Sequence, residues 1–190
     1  TYESLNPLSI QINADLRGGG LVHLSREQEK AAFANKNQLS RYTWTPSHLE
    51  VLDADKHTAD LWSVYSLDTD GRLWTYMPQG PFKSEAEYRV WVEGAQHKAD
   101  PFFYAIIDRE TNKAVGVASY LRVDPGASSI EVGWITYSPV IQQKPIATEA
   151  MYLMMKNAFD LGYRRYEWKC NAQNAPSIRA AMRLGMSFEG

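Results

Sequence analysis

The sequence predicts a mixed-sheet α/β domain, α+β in some schemes, and three observations carry that prediction. Residues 102–137 run at the two-residue period of strands and are cut by short turns, which makes an antiparallel meander. Two segments before it, around 54–65 and 84–95, repeat apolar residues at helical spacing behind capping residues. After it the chain alternates helix, strand and helix, each helix stopped by a glycine.

The elements follow in order. Residues 1–47 read as an N-terminal extension, with Gly18-Gly19-Gly20, Pro7 and Pro46 among many Asn, Gln and Ser. It is expected to lie on the domain surface, with a capping box at Ser25-Arg26-Glu27-Gln28 before a short helix at Lys30-Ala31-Ala32-Phe33. The domain proper spans 48–190. It opens with a strand at Leu49 to Leu52, then Asp53 as N-cap of a helix whose Ala54, Leu61, Trp62 and Tyr65 share a face. A loop from Asp68 to Phe82 follows, punctuated by Asp70-Gly71, Pro78 and Gly80-Pro81 and carrying Trp74, Tyr76 and Phe82. Ser84-Glu85-Ala86-Glu87 is a capping box for a helix with Tyr88, Trp91, Val92 and Ala95 turned to the core.

Strands are expected at Phe102 to Ile107, Ala114 to Val123 and Ile130 to Tyr137, with turns at 110–113 and Asp124-Pro125-Gly126. A helix runs from Pro145 to Leu161, burying Ala147, Ala150, Met151, Met154 and Ala158 and leaving Thr148, Tyr152 and Lys156 outside. A strand at Arg165 to Cys170 and a helix from Ala175 to Leu184 complete the order.

Composition narrows the function classes. At 190 residues, 44% apolar and 22% charged, the chain makes one globular domain. Twenty Lys and Arg against 22 Asp and Glu give a net charge of −2, which argues against nucleic acid or an anionic membrane as partner. A single cysteine, Cys170, can form neither an internal disulfide nor a multi-thiolate metal site, so a cytoplasmic, reducing compartment is expected. No metal is expected: His23, His48, His57 and His97 lack ligand spacing and read as surface residues, and Cys170 reads as a small buried hydrophobe.

Two constellations could carry chemistry. In Tyr137 to Ala150 a strand passes through a polar loop into a helix, and the unpaired N–H groups of a helix's first turn favour an anion there. An ordinary strand-to-helix connection explains the same residues. In Asn171-Ala172-Gln173-Asn174-Ala175-Pro176-Ser177, Asn174 suits an N-cap, and Asn171, Asn174 or Ser177 could instead face a ligand in a cleft.

Glu131-Val132-Gly133-Trp134-Ile135, Gln142 to Ala150, Asn171 to Ser177 and Arg183 to Gly190 occur in that order and together resemble the GNAT N-acetyltransferases, in their RimJ/RimL-like branch. The aromatic loop Trp74 to Phe82 adds to the likeness, which spans Leu49 to Gly190. The resemblance implies a GNAT-like, mostly antiparallel central sheet flanked by helices, and acetyl-CoA as donor. It implies that Gln142, Gln143, Lys144, Pro145, Ile146, Ala147 and Thr148 cradle the pyrophosphate, with Pro145 where the family carries glycine. The pantetheine arm would lie along Gly133, Trp134, Ile135 and Thr136, with Asn171 and Asn174 also on the cofactor.

Transfer needs a deprotonated amine, a polarised thioester and a proton for the leaving thiolate. The resemblance implies Glu131 as base, and a salt-bridged strand-end glutamate is the other reading. The tyrosine that commonly serves the thiolate would fall at Ala181 and is absent; Ser177 is the substitute the branch implies, against a local hydrogen-bonding role. Trp74, Tyr76 and Phe82 either wall an acceptor pocket or cover the core. The acceptor would be a primary amine, a protein N-terminus or a small molecule. A non-catalytic CoA-binding or interaction module is the alternative function.

The likeness also implies two further strands after the Leu184-Gly185 turn. Without them the strand at 165–170 is expected to have an open edge, covered either by more residues of a longer product, the favoured reading, or by a second chain in a homodimer.

Overall fold

The computed structural model describes residues 9–15 and 46–189. The capping box at 25–28, the short helix at 30–33, the glycine triplet and His23 lie outside them. Among the described residues seven strands form one sheet: β1 (Ser9–Asp15), β2 (Ser47–Val51), β3 (Phe102–Asp108), β4 (Lys113–Asp124), β5 (Ser129–Tyr137), β6 (Arg165–Asn171) and β7 (Ser187–Phe188), in the order β2-β3-β4-β5-β6-β1-β7. Every neighbouring pair is antiparallel except β5 and β6, so the sheet is mixed and mostly antiparallel as the sequence implies. Four helices flank it: α1 (Ala54–Tyr65), α2 (Glu85–Gln96), α3 (Pro145–Asp160) and α4 (Ala175–Arg183).

β3 reads FFYAIID, a nearly unbroken apolar run, because both faces of the central sheet are covered. Tyr104 and Ile106 join Ile130, Val132, Tyr166, Trp168 and the α3 residues Ala147, Ala150, Met151 and Met154 in one core. Phe103, Ala105 and Ile107, on the alternate face, join Val117 and the α1 and α2 residues Leu61, Tyr65, Tyr88 and Val92 in the other.

The helix starts are held where the sequence places them. Asp53 Oδ1 accepts from the Lys56 N–H at 2.9 Å, Ser84 Oγ from Glu87 at 3.2 Å and Asn174 Oδ1 from Ser177 at 3.2 Å. Each such cap contributes about 1 kcal/mol. The box at Ser84 closes one residue early, since Glu87 Oε2 accepts from the Lys83 N–H, at 2.8 Å, rather than from Ser84.

The N-terminal segment departs from its expected surface position. Residues 9–15 pair along the full length of β6, from Ser9 opposite Asn171 to Asp15 opposite Arg165, and on their other side meet β7. The edge of β6 expected to stand open is therefore taken by β1, whose backbone supplies the ladder partners an edge strand lacks.

Candidate functional site

The site begins where the sheet opens. The parallel ladder between β5 and β6 runs from Ser129 opposite Arg165 to Val132 opposite Trp168 and stops there, although β5 continues to Tyr137 and β6 to Asn171. At the same point β5 carries a bulge against β4: Ser119 pairs with Gly133 but Val117 with Thr136, so that Ala118 on β4 faces both Trp134 and Ile135 on β5. Trp134, within the bulge, has φ +52°, a left-handed conformation that costs a bulky residue energy and must be held by its surroundings. Three hydroxyls hold it through carbonyls: Ser119 donates to Gly133 at 3.1 Å, Thr136 to Trp134 at 3.3 Å and Tyr65, from α1, to Thr136 at 3.0 Å. Packing is tight at Gly133, since a Cβ there would stand 2.9 Å from Leu121 Cδ2 and the leucine would have to shift.

The strand then leads to the 138–144 loop and α3. Ser138 ties the loop to β4, its Oγ donating to the Val115 carbonyl at 2.5 Å, and the Gln142 side-chain amide donates back to the Tyr137 carbonyl at 3.0 Å. Gln143 turns at φ +60°, and α3 starts with Lys144 as an N-cap whose side chain makes no capping bond and Pro145 in the first turn. The N–H groups of Gln143 and Ile146 have no partner among the described residues, whereas those of Gln142, Lys144 and Ala147 bond within the turn. A left-handed residue ahead of a helix with unpaired N–H groups and a positive dipole end makes a concavity suited to an anion. Pro145 costs this cradle one donor. Ile146 and Ala147 are buried in the core, so of the implied set only Gln142, Gln143, Lys144, Pro145 and Thr148 keep accessible side chains.

Glu131 lies on β5 two residues before Gly133 and is 2% exposed. Its Oε2 receives Arg122 Nη1 at 2.5 Å and Lys169 Nζ at 3.1 Å, joining β4, β5 and β6 at the closed end of the cleft. The carboxylate is thus a buried, ion-paired tie between strands. Sequence reasoning missed Arg122 and Lys169, because their meeting depends on strand register.

On the β6 side, Trp168 Nε1–H donates to Ser177 Oγ at 2.9 Å. Burial pushes the Cys170 thiol up, an effect partly offset by a hydrogen bond from the Ser177 hydroxyl. Asn174 caps α4, and Asn171 Oδ1 accepts from the Gln173 N–H at 2.8 Å, folding the loop between them. Ala181 is fully buried.

The aromatic loop includes a short 3-10 turn at Arg72–Trp74. Trp74 is 8% exposed and packs edge-on against Tyr65 and Phe82, and Phe82 in turn against Tyr88. These rings belong to a chain that continues through Trp91 and Phe103 to Trp134 in the bulge. Of the three expected pocket residues, Tyr76 alone is exposed, and its hydroxyl donates to the Gln173 carbonyl at 3.0 Å.

The expectation that the histidines lie on the surface fails at His57, which is 2% exposed. Its Nδ1 accepts from the Asp53 N–H at 3.0 Å, which leaves Nε2–H to donate to Glu50 at 3.1 Å. Burial lowers the His57 pKa against the pull of Glu50. Burial alone would raise Glu50, but hydrogen bonds from Lys56, His48 and His57 hold it at about 2. His48 is half-buried on the same carboxylate and His97 is exposed. Among the described residues no group of three or more His, Cys, Asp or Glu is placed to hold a metal ion, and no helix is long and apolar enough to cross a membrane.

Comparison with known proteins places this geometry. Residues 51–187 match the family model described as acetyltransferase (GNAT) domain. A GCN5-related N-acetyltransferase from Brucella melitensis is 39% identical, with a TM-score of 0.73 over 78% of this chain and 73% of that one. An uncharacterized N-acetyltransferase of Bacillus subtilis strain 168, YnaD, is 26% identical over 132 residues, 69% of this chain and 75% of the relative. RimL, a ribosomal L7/L12 alpha-N-protein acetyltransferase solved with coenzyme A, shares the fold at 21% identity and a TM-score of 0.66, over 78% of this chain and 84% of that one.

Proposed function

The chain belongs to the GNAT acetyltransferase family, whose acyl donor is acetyl-CoA, and on that premise we propose that it transfers the acetyl group directly to a primary amine, in one complex holding both substrates. The observation that carries the proposal is the end of the β5–β6 ladder at Val132 and Trp168, opposite the bulge at Gly133–Trp134. It gives an extended donor two strand edges to lie between, with the unpaired N–H groups of Gln143 and Ile146 beyond it for the pyrophosphate.

In this reading the cofactor supplies an activated thioester, and the chain binds and orients it. The pantetheine arm pairs like an extra strand with the segment Gly133 to Thr136, and a backbone N–H there polarises the acetyl carbonyl. The neutral amine nitrogen attacks the carbonyl carbon, the C–N bond forms as the C–S bond breaks, the nitrogen's proton passes to Glu131 directly or through water, and the departing sulfur takes a proton through the Ser177 hydroxyl, which solvent replenishes. Glu131 is the base of this reading, acting directly or through water, while its Oε2 stays with Arg122 and Lys169. Ser177 serves the sulfur, and Asn171 and Asn174 shape the wall beside it.

Trp74 and Phe82 set the acceptor loop from beneath, and Tyr76 carries its exposed surface. The RimL likeness supports a protein N-terminus as one acceptor class and membership of that branch; a small-molecule amine is the other. We also assign residues 48–190 as the acetyltransferase unit, its sheet completed by the strand at 9–15, together with a cytoplasmic location and no metal requirement.

One observation favours the alternative, a module that binds CoA without turnover: buried Ala181 leaves no phenol where many relatives of this fold carry one. Thiol release from acetyl-CoA, measured with a peptide bearing a free N-terminus and with a panel of small primary amines, separates the readings. Acceptor-dependent release supports the transferase; binding of acetyl-CoA with no release for any acceptor supports the module.

A further inference from the structure

The indole that closes the β5–β6 ladder also grips the hydroxyl assigned above to the sulfur. Trp168 is 3% exposed, and Ser177 Oγ is the partner of its Nε1–H at 2.9 Å. A serine hydroxyl has one proton and two lone pairs, and an indole N–H can only donate. The bond therefore occupies a lone pair of Ser177 and forbids its proton from pointing at Trp168. The Ser177 backbone is fixed separately, its N–H bonded to Asn174 Oδ1 at 3.2 Å. The remaining neighbour on β6 is Cys170, two residues beyond the last paired position and so within the splayed part of the strand. The hydroxyl proton is left to point away from the indole, on the side where β6 no longer pairs with β5.

We propose that Trp168 is a positioning residue that fixes the Ser177 hydroxyl with its proton toward a sulfur at the apex of the cleft, so that coenzyme A thiol or thiolate receives a hydrogen bond there. The inference rests on the preceding reading that the donor lies between β5 and β6. The arrangement explains why a weak acid in a helix's first turn can serve here: the indole fixes the oxygen and excludes the proton orientation directed at itself, and a hydrogen bond to a charged sulfur is stronger than one to a neutral group.

The test needs no acceptor. The six tryptophans of the full chain give separate indole N–H signals in nitrogen-15-labelled protein, and the Trp168→Phe variant identifies that of Trp168. Coenzyme A and desulfo-coenzyme A, which lacks only the thiol sulfur, are titrated in parallel, with calorimetry recording binding of each. Both should bind, and coenzyme A alone should shift the Trp168 signal. In Ser177→Ala, which preserves the helix start, that difference should vanish. Equal shifts from both ligands, or no shift from either although both bind, would overturn the positioning role and leave the donor site standing. Absence of binding by either ligand would overturn the donor site and this inference with it.

Discussion

The Tyr76 hydroxyl donates to the carbonyl of Gln173 across 97 positions of sequence, joining the aromatic loop after α1 to the loop between β6 and α4. The two loops come from opposite halves of the chain, and in the proposed function one meets the acceptor and the other the donor. Because the bond is exposed, it contributes about 1 kcal/mol or less to stability. Tyr76→Phe should leave the melting temperature and acetyl-CoA affinity close to wild type while raising the acceptor KM several-fold. Parallel donor titrations and acceptor kinetics check this; an equal loss on both sides would mean that the tie supports the whole cleft.

Gly80 makes the aromatic loop possible. Its φ is +75°, and a Cβ would fall 2.6 Å from Trp74 Cδ2. Gly80→Ala combines a left-handed alanine with an overlap against a buried ring, for a destabilisation of about 3 kcal/mol. Urea denaturation should show the lower midpoint, with Gly94→Ala as a control, since nothing lies within 4 Å of a Cβ there.

Glu131→Gln should be more costly than loss of either cation. The substitution leaves Arg122 and Lys169 near each other without the buried carboxylate, at about 2–4 kcal/mol, reduced from the fully buried case because both cations are partly solvated. Arg122→Gln keeps Lys169 on the carboxylate and should lose about half as much. Denaturant midpoints of the two variants give the comparison.

Acid should weaken the fold through the cluster at the start of α1. His57 has a folded pKa below its ordinary 6.5, so the unfolded chain binds a proton that the folded chain refuses, and stability falls as pH drops below about 6.5. Glu50, held at about 2 from 4.5, adds a loss of the same sign below about 4.5. Protonating His57 also ends the bond in which Nδ1 accepts from Asp53. Stability of wild type and His57→Gln, measured by urea from neutral pH down to about pH 5, should show the variant with the flatter slope.

Much of this architecture is readable locally. Capping residues at Asp53, Ser84 and Asn174 mark helix starts, and the meander follows from period-two runs and turns, because these signals act within a few residues. What the residues could not disclose is long-range. The pairing of residues 9–15 with β6 depends on which edge is available, and a polar, alternating segment with weak turn signals does not name its partner. The burial of His57 is not legible on α1 alone, because it depends on the Glu50 carboxylate that β2 brings to it. The cradle loop is legible as a unit, and so is the burial of Ala147 in the α3 stripe; the burial of Ile146 beside it is not.

The most direct measurement is therefore calorimetric titration of acetyl-CoA into the wild-type chain and into Lys144→Glu, which sets a negative charge on an exposed N-cap side chain beside the Gln143 and Ile146 N–H groups without entering the core. Binding in the micromolar range, weakened roughly tenfold or more in a variant with an unchanged melting temperature, is the predicted result. Equal affinity for both proteins, or no binding by a folded wild-type chain, would contradict a donor held between β5 and β6 with its pyrophosphate at the start of α3.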